Sequence, residues 1–326
     1  MRRRIWVEHL PPEELRARTT LELLRRFDLE PIVAVRPHDD EPLLIRALEA
    51  LHRAGQPFGL WPLFGDDDGY WLSEVNAERF GGRVSHAMAL AAQAGTAPRT
   101  IVFDLEPPLE VTRALVGPLP LVAGARRALR SRSPEAQERR ARARVHLERI
   151  VQDLDGRFES LAAVPPPIAL ELGSGARLFQ HTLGTEAETL EFDRISAMAY
   201  TSMIARVLPF GGMEAARGVL FETARALVAR DPSSAALSLG VVGTGKLTTE
   251  ATLESPSELA RDVRAAIAAD VTDLALFSLE GVLASPSPEG WLVAFRESSP
   301  EIPKAGAWAR WLSRGLRGGL RWAGRR

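Results

Sequence analysis

Short apolar runs alternate along this chain with longer stretches in which apolar positions recur at helical spacing. The short runs have the length of β-strands, and the longer stretches have the period of amphipathic helices. Strands that alternate with helices predict parallel βαβ units with right-handed crossovers. The eight runs that predict strands are Arg4–Leu10, Pro31–Arg36, Phe58–Phe64, Thr100–Leu105, Ile168–Leu172, Arg194–Tyr200, Ala235–Val242 and Asp273–Leu279.

The number of predicted strands favours a closed barrel. Eight β-α units make a (β/α)8 TIM barrel, and the chain of 326 residues has the length of one such domain. A doubly wound open sheet is the alternative arrangement for the same alternation. We therefore predict an α/β fold, with a (β/α)8 TIM barrel over residues 1–300. The helices predicted around it are Pro12–Phe27, Glu41–Ala54, Asn76–Ala94, Ser133–Leu161, Met213–Ala229 and Ser257–Ala268.

Two segments depart from the regular alternation. Residues Pro107–Pro167 predict a long insertion after strand four, with a loop rich in leucine and proline and then a basic helix. In residues 301–326, tryptophan and leucine positions share one side of a helix and arginines share another, which predicts a basic amphipathic C-terminal helix. Such a helix either makes peripheral membrane contact through residues 304–326 or packs against the barrel or a partner.

Composition narrows the class of partner. Hydrophobic residues make up 45% of the chain, which is enough for a full core. The formal net charge is -1 at pH 7, so no overall electrostatic field favours nucleic acid, and we expect no nucleic-acid partner. The absence of cysteine excludes disulfides and thiolate chemistry.

The start of the chain bears on its location. Residues Met1–Glu8 are basic, but no apolar segment of the kind found in signal peptides follows them. No run reaches the roughly 18 apolar residues of a membrane-spanning helix. We therefore expect a cytoplasmic protein without a signal peptide, with membrane association only through the C-terminal helix.

The end of strand four carries the most distinctive chemistry. Residues Thr100–Pro108 form an apolar run that ends in Asp104 and Glu106 and is stopped by two prolines. Side chains two apart on a strand point the same way, and barrels place their chemistry at the carboxyl ends of their strands. Two neighbouring carboxylates repel, so one can keep its proton near neutral pH, as acid catalysis of glycosidic cleavage requires. The alternative is that Asp104 caps the next element and Glu106 is solvated.

The other predicted strand ends also offer polar or aromatic groups. Because the strand ends of a barrel meet at one mouth, these groups predict an acidic site that suits a neutral or cationic ligand better than a polyphosphate. Trp61, Tyr70 and Trp71 offer flat apolar faces with polar edges, as a sugar ring requires, although ordinary loop packing is the alternative. The remaining strand-end groups are Glu8 and His9, Arg36 and His38, Glu171, Tyr200, Thr244 and Lys246, and Glu280.

A glycine-rich run, Gly240–Leu247, comes close to a phosphate-binding loop. Leu247 stands where that loop has the Ser or Thr that binds magnesium, and no helix is predicted to follow at once. The six histidines show no metal-ligand spacing. The sequence therefore predicts no metal and no cofactor. A barrel enzyme for a phosphorylated metabolite, using residues 243–246, stays open as an alternative.

Two segments resemble the family 18 glycoside hydrolases, the chitinases and endo-β-N-acetylglucosaminidases. The run TIVFDLEP resembles the DxxDxDxE pattern of their fourth strand, whose last two acids fall on Asp104 and Glu106. The run DRISAMAYTSM resembles their sixth strand, which commonly has Met-x-Tyr-Asp, and Met198 and Tyr200 match it. The resemblance implies that Glu106 is the general acid and that Asp104 positions an N-acetyl group of the substrate as nucleophile. It also implies that Tyr200 helps hold the intermediate.

The chain departs from the family pattern at several positions. The first two acids of the strand-four pattern fall on Arg99 and Val102, and Thr201 replaces the Asp of the sixth strand. Family 25 lysozyme-like hydrolases also have D-x-E at strand four, but the Met-x-Tyr run favours family 18. At the end of strand eight, where the family usually has Trp, Phe277 is the nearest aromatic.

The sequence thus predicts a glycoside hydrolase-like barrel that cleaves or binds an N-acetylhexosamine-containing glycan. Because the departures remove supporting acids, a non-catalytic glycan-binding or membrane-tethered barrel scaffold is the alternative. The candidate catalytic residues are Asp104, Glu106 and Tyr200. The candidate substrate-binding residues are Glu8, Trp61, Tyr70, Trp71, Glu171, Met198 and Glu280.

Overall fold

Eight parallel strands close into a barrel, each paired with its neighbours in chain order and the last paired with the first. This arrangement is seen in a computed structural model, which describes residues 1–115, 120–208, 210–243, 245–247 and 250–304. The predicted (β/α)8 TIM barrel is therefore confirmed. The strands are β1 (Arg2–Val7), β2 (Glu30–Val35), β3 (Gly59–Pro62), β4 (Thr100–Asp104), β5 (Glu159–Val164), β6 (Arg194–Met198), β7 (Ala235–Gly240) and β8 (Asp273–Phe277).

Helices surround the barrel and connect its strands. Many have a proline at their first or second position, which suits the first turn of a helix because proline lacks a backbone N–H. They are α1 (Pro12–Leu15), α2 (Arg18–Arg26), α3 (Glu41–Arg53), α4 (Ala77–Gln93), α5 (Leu109–Leu115), α6 (Pro120–Arg130), α7 (Pro134–Leu154), α8 (Pro166–Glu171), α9 (Leu178–Leu183), α10 (Thr201–Val207), α11 (Gly212–Arg230), α12 (Pro256–Ala268), α13 (Leu279–Ala284) and α14 (Pro288–Phe295).

Strand side chains alternate between the barrel interior and the layer beneath the helices. The strands are almost entirely buried on both faces, which explains why their sequences read as continuous apolar runs. Side chains such as Ile5, Val33 and Phe103 belong to the larger cluster, which also contains the buried faces of the helices. The smaller cluster fills the barrel interior and includes Trp6, Ile32, Ala34, Trp61, Val102, Leu161, Ala163, Ala275 and Phe277.

The amino-terminal end of the barrel is filled by paired charges. Arg4 has no exposed surface, and its guanidinium donates to Asp273 and Glu159. Arg2 donates to Glu159 and to Glu30 on the neighbouring strand. These ion pairs satisfy buried charges that would otherwise be costly. Because these ion pairs fill the amino-terminal end, the barrel is open at its carboxyl-terminal end.

The prediction for strand five was wrong. Residues 168–172 lie in and just after helix α8, and strand β5 is Glu159–Val164 instead. The run after the three prolines is short and apolar, so its period cannot distinguish a strand from a buried helix. The true strand contains alanine and leucine, which are good helix formers, and its first three residues were therefore included in the helix predicted before it.

The connection between β4 and β5 contains helices α5, α6 and α7, so a long segment does follow strand four. Helix α7 begins after Ser133, whose hydroxyl accepts a hydrogen bond from the Ala136 backbone N–H. It ends at Leu154 rather than at Leu161 as predicted. The predicted C-terminal amphipathic helix lies almost entirely outside the described residues, which end at Lys304 without helix after α14. Among the described helices, none has the length and apolar character needed to cross a membrane.

Candidate active site

A small cavity of about 40 Å³ opens at the carboxyl-terminal end of the barrel. Its walls combine carboxyl groups with aromatic rings. The lining residues are Trp6, Glu8, Trp61, Trp71, Asp104, Glu106, Met198, Tyr200, Lys246, Glu250 and Phe277.

The end of β4 places two of these carboxyl groups. Asp104 is the last residue of the strand and is only 3% exposed, because its side chain points into the barrel. After it the chain turns, and the Glu106 backbone N–H donates to the Asp104 carbonyl at 3.0 Å. Pro107 and Pro108 follow and prevent the strand from continuing. The predicted placement of Asp104 and Glu106 on one side of the chain end is what brings both into the cavity.

Burial controls the charge state of this pair. It raises the pKa of Asp104 well above its ordinary value, and the nearby charge of Glu8 raises it further. Burial likewise raises the pKa of Glu106, with a second contribution from the charge of Asp104. At least one of the two carboxyl groups therefore holds a proton near neutral pH, which is the state that a general acid needs.

Asp104 and Trp61 also present unsatisfied polar atoms in the cavity wall. The Trp61 indole lies close enough to lower the pKa of Asp104. Even so, neither its Nε1 nor Asp104 Oδ1 has a partner with hydrogen-bond geometry among the described residues. Buried polar atoms are nearly always paired in folded proteins. Both atoms are therefore available to a polar ligand.

Strand β1 contributes Trp6, and Glu8 follows directly after the strand's last residue, so both side chains reach the cavity from this side of the barrel. The Tyr70 hydroxyl donates to Glu8 Oε1 at 2.6 Å. Burial raises the pKa of Glu8 to about 7, although the hydrogen bond from Tyr70 opposes this. The backbone N–H of Glu8 donates to Glu280 Oε1 at 3.2 Å, which fixes the strand end.

Aromatic rings form much of the remaining wall. Trp6 and Trp61 meet edge to face, with ring centroids 4.9 Å apart. Tyr200 and Phe277 are in contact on the β6 and β8 side, with centroids 5.8 Å apart. Such faces can stack against the apolar side of a sugar ring while the carboxyl groups contact its hydroxyls.

Lys246 lies in the loop after β7, at the rim of the cavity. Its Nζ contacts Asp66 Oδ1 at 2.6 Å and lies 4.5 Å from the centre of the Tyr70 ring. The charge of Lys246 is therefore already compensated, and the cavity below it is lined with carboxyl groups. A cavity lined with carboxyl groups disfavours a phosphate group, which the similarity of Gly240–Leu247 to a phosphate-binding loop had suggested as a ligand.

The structure brings most of the predicted site residues together. The cavity is lined by seven of them: Glu8, Trp61, Trp71, Asp104, Glu106, Met198 and Tyr200. Tyr70 and Glu280 lie behind Glu8 and hold its side chain and its backbone, respectively. Glu171 does not line the cavity, because its predicted strand is a helix. Its buried carboxylate instead accepts hydrogen bonds from the backbone N–H groups of Phe179 and Gln180 in α9.

The cavity also contains three residues that the site prediction did not include: Trp6, Glu250 and Phe277. Trp6 could have been found by counting back two positions from Glu8 along the strand. Phe277 was noted as the nearest aromatic at the end of strand eight. Glu250 comes from an irregular loop, where no periodicity indicates which side chain turns inward. Among the described residues, no group of three or more acidic, His or Cys side chains is arranged to hold a metal ion.

Comparisons with known proteins define the fold of this chain and leave its family open. No protein-family profile matches the sequence, and no curated protein sequence matches it. Several solved structures do resemble it, at 14% sequence identity or below among those described next. At such identities the likeness shows the barrel fold that the chain shares with them.

These solved structures are of glycoside hydrolases. The glycoside hydrolase domain of PgaB (BpsB) from Bordetella bronchiseptica is 14% identical, with a TM-score of 0.53 over 92% of this chain and 99% of that one. The catalytic domain of β-amylase from Paenibacillus polymyxa is 9% identical, with a TM-score of 0.54 over 94% and 98%. Exo-β-1,4-mannosidase Op5Man5 from Opitutaceae bacterium strain TAV5 is 12% identical, with a TM-score of 0.52 over 98% of this chain and 60% of that one.

Proposed function

We propose that this protein is a glycoside hydrolase that cleaves an N-acetylhexosamine-containing glycan. The observation that carries the proposal is the meeting of Asp104, Glu106 and Tyr200 in one aromatic-walled cavity at the open end of the barrel. Barrel enzymes place their chemistry at this end. The glycan-cleaving proteins that share the fold add support at the level of the class.

In the proposed reaction, Glu106 acts first as an acid. Its carboxyl proton passes to the glycosidic oxygen, and the bond from that oxygen to the anomeric carbon breaks. The carbonyl oxygen of the sugar's 2-acetamido group attacks the anomeric carbon, which gives an oxazolinium ion and releases the other part of the glycan as an alcohol. Asp104 accepts the acetamide N–H and so orients the carbonyl, while the Tyr200 hydroxyl holds this group from the β6 side.

Water completes the reaction. The Glu106 carboxylate removes a proton from a water molecule, whose oxygen attacks the anomeric carbon and reopens the oxazolinium ring to the acetamide. Glu106 is then protonated again, and the anomeric configuration is retained. The raised pKa of Glu106 suits this exchange, because the group must give up and recover a proton within each cycle.

The decisive experiment compares wild type with Glu106→Gln on two substrates. With an unactivated N-acetylglucosamine pentamer, loss of the general acid lowers kcat by about 10²–10⁴-fold. With an aryl N-acetylglucosaminide, whose leaving group needs little protonation, the loss is much smaller. Cleavage is followed by mass spectrometry and by aryl alcohol release, respectively.

The control is Glu110→Gln, which alters an exposed carboxylate four residues further along the same chain segment. It leaves both rates unchanged. Equal rates for wild type and Glu106→Gln on both substrates would refute the assignment of Glu106. The absence of cleavage by wild type across a panel of N-acetylhexosamine glycans would refute the proposed activity.

A non-catalytic glycan-binding barrel is the second candidate, and two residues favour it. Val102, where the family pattern has an acid, is part of the apolar barrel interior. The Thr201 hydroxyl, where the sixth-strand pattern has Asp, donates to buried Asp262 and so belongs to a separate network with Arg217. Saturable binding of the pentamer without turnover, unaffected by Glu106→Gln, would support this function.

A further inference from the structure

The cavity is smaller than the ligand that its walls suit. Its volume of about 40 Å³ holds a few water molecules and not a sugar ring. In its wall, Asp104 Oδ1 and Trp61 Nε1 nevertheless lack hydrogen-bond partners among the described residues. One atom is an acceptor and the other is a donor, so a ligand with hydroxyl or amide groups can satisfy both. Such a ligand reaches these two atoms only if part of the wall moves.

Residues 245–247, in the loop after β7, close one part of this wall. A Cβ atom built on Gly245 would lie 2.6 Å from Glu8 Oε2 and 2.5 Å from Phe277 Cζ, so the Gly245 backbone lies directly against both side chains. Leu247 packs against the apolar cluster of the barrel interior. This segment, which we call the lid, therefore covers the cavity above the ends of β1 and β8.

Lys246 extends the lid across the mouth of the barrel. Strands β3 and β7 lie opposite each other in the closed ring of eight. Lys246 follows β7, and its Nζ contacts Oδ1 of Asp66, in the short helical turn after β3, at 2.6 Å. The same Nζ lies 4.5 Å from the centre of the Tyr70 ring. The lid and its ion pair thus connect two opposite sides of the mouth.

The ion pair between Lys246 and Asp66 is of a kind that breaks readily. The Asp66 side chain is 53% exposed and the Lys246 side chain is 20% exposed. Ion pairs with this much exposure contribute little to stability, because water competes for the charges and salt screens them. The Gly245 N–H donates to Glu250 Oε2 at 2.7 Å, which is a contact within the same loop. These contacts suit a reversible closure better than a permanent one.

We propose that residues 245–247 are a lid that closes the cavity, and that release of Lys246 from Asp66 opens the cavity to a ligand. When the lid opens, Gly245 and Leu247 move off the wall and the space beneath them joins the cavity. None of the residues assigned to the proposed chemistry belongs to the lid, so it moves without displacing them. Entry of a glycan rests on the proposed function, whereas the movement of the lid does not.

Opening can be measured without a ligand, because Tyr70 and Tyr200 are the only tyrosines of the chain. Protein labelled with 3-fluorotyrosine gives one ¹⁹F signal for each, and Tyr70→Phe assigns them. Tyr200 lines the cavity, so a neutral soluble paramagnet broadens its signal in proportion to the fraction of molecules with an open lid. We expect Asp66→Asn to increase this broadening about two- to fivefold, since it removes an exposed ion pair.

Asp67→Asn is the matched control for this measurement. It removes the same charge from an exposed position one residue away, while Lys246 contacts Asp66. We expect its Tyr200 signal to match that of wild type. Raised ionic strength should bring wild type towards Asp66→Asn, because salt screens the ion pair, and this comparison needs no substitution. Equal broadening in wild type and Asp66→Asn at low ionic strength would overturn the role of the ion pair.

A reversible cross-link tests whether the lid is the entrance. The chain has no cysteine, so Asp66→Cys combined with Lys246→Cys introduces the only two thiols. A short bis-methanethiosulfonate linker joins them through two disulfides and replaces the length of the lysine side chain. We expect the cross-linked protein to lose both the broadening of the Tyr200 signal and the cleavage of the N-acetylglucosamine pentamer. Reduction should restore both. Each single-cysteine variant, treated in the same way, is the control and should keep both.

The outcomes separate the lid from the proposed function. If the cross-linked and the reduced protein cleave the pentamer at equal rates, the lid is not the entrance. If neither they nor wild type cleave it, the proposed hydrolase activity fails. In that case the Tyr200 signal still decides on the lid: broadening that the cross-link removes and reduction restores would support it, and broadening that the cross-link leaves unchanged would refute it.

Discussion

The charge of the Glu8 carboxyl group depends directly on one neighbouring side chain, Tyr70. The Tyr70 hydroxyl donates to Glu8 Oε1 at 2.6 Å. Burial raises the pKa of Glu8 to about 7, the hydrogen bond from Tyr70 lowers it, and the charges of Glu280 and Glu250 raise it. Near neutral pH, Glu8 therefore lies close to the midpoint of its titration, and removal of one hydrogen bond changes its charge.

We predict that Tyr70→Phe moves the titration of Glu8 to higher pH. The hydroxyl stabilises the ionised carboxylate, so without it the protonated form persists to a higher pH than about 7. Carboxyl ¹³C NMR of glutamate-labelled protein follows the titration, and Glu8→Gln identifies the Glu8 signal.

Tyr200→Phe is the contrast for this prediction. Tyr200 also lines the cavity, but its hydroxyl makes no hydrogen bond to Glu8. Its replacement should leave the Glu8 titration close to that of wild type. If Tyr70→Phe also leaves the titration in place, the hydrogen bond does not control the charge of Glu8.

At the residue level, the sequence predicts side chains well where a strand fixes their direction. Asp104 ends β4 and lines the cavity, and the alternation rule applied to Glu8 also finds Trp6, whereas Glu106 lines the cavity after a turn beyond the end of the strand. It fails for Glu250, because that residue lies in a loop whose path depends on hydrogen bonds such as the one to Gly245. Local spacing carries no information about such a path.

At the level of elements, strand five shows why one segment was misassigned. A parallel strand is buried on both faces, so it lacks the alternation that identifies strands in half-exposed sheets. Residues 159–164 and 168–172 are both short and apolar, and only tertiary packing decides which one joins the barrel. The alternation of element types still predicted the closed barrel, because an error in one position leaves the number of strands unchanged.

The same error placed Glu171 among the substrate-binding candidates, and its observed contacts predict a structural role. Glu171 is fully buried, and its two carboxylate oxygens accept the Phe179 and Gln180 N–H groups at 3.0 and 2.9 Å. Glu171→Gln replaces one carboxylate oxygen with an amide NH2 group. This group is a donor, and it would face a backbone N–H, which is also a donor. We predict a loss of about 1–3 kcal/mol in the free energy of unfolding, with KM for the N-acetylglucosamine pentamer unchanged. Urea unfolding and steady-state kinetics measure the two quantities. A raised KM without a loss of stability would instead indicate a role in substrate binding.

At the scale of the whole molecule, the two ends of the barrel interior have opposite chemistry. The amino-terminal end is closed by ion pairs in which arginines satisfy the acids, whereas the carboxyl groups that line the carboxyl-terminal cavity form no ion pair with an arginine of the described part of the chain. Arg4 and Asp273 are 269 positions apart in the chain, and ring closure brings them together. No sequence spacing predicts such a pair. The barrel itself was predictable from the repeated βα pattern, but the partners of its buried charges were not.

Glu159 tests how much the closed end contributes to stability. Its carboxylate accepts hydrogen bonds from Arg2 and Arg4, and its side chain is 18% exposed. Burial alone would raise the pKa of Glu159, but the two guanidinium groups lower it from 4.5 to about 2. A carboxyl group with a lowered pKa stabilises the folded state above its unfolded pKa. That contribution is lost as the pH falls from about 4.5 through about 2.

We predict that Glu159→Gln lowers the free energy of unfolding by about 3 kcal/mol at pH 7, because it leaves fully buried Arg4 with one fewer counter-charge. The difference from wild type should shrink between pH 4.5 and pH 2, since wild type loses the same contribution there by protonation. Urea unfolding at pH 7 and pH 3 measures both effects. Glu191→Gln, at an exposed position, is the control and should match wild type at both pH values. A constant difference between Glu159→Gln and wild type across this range would show that the lost stability comes from packing and not from the charge of Glu159.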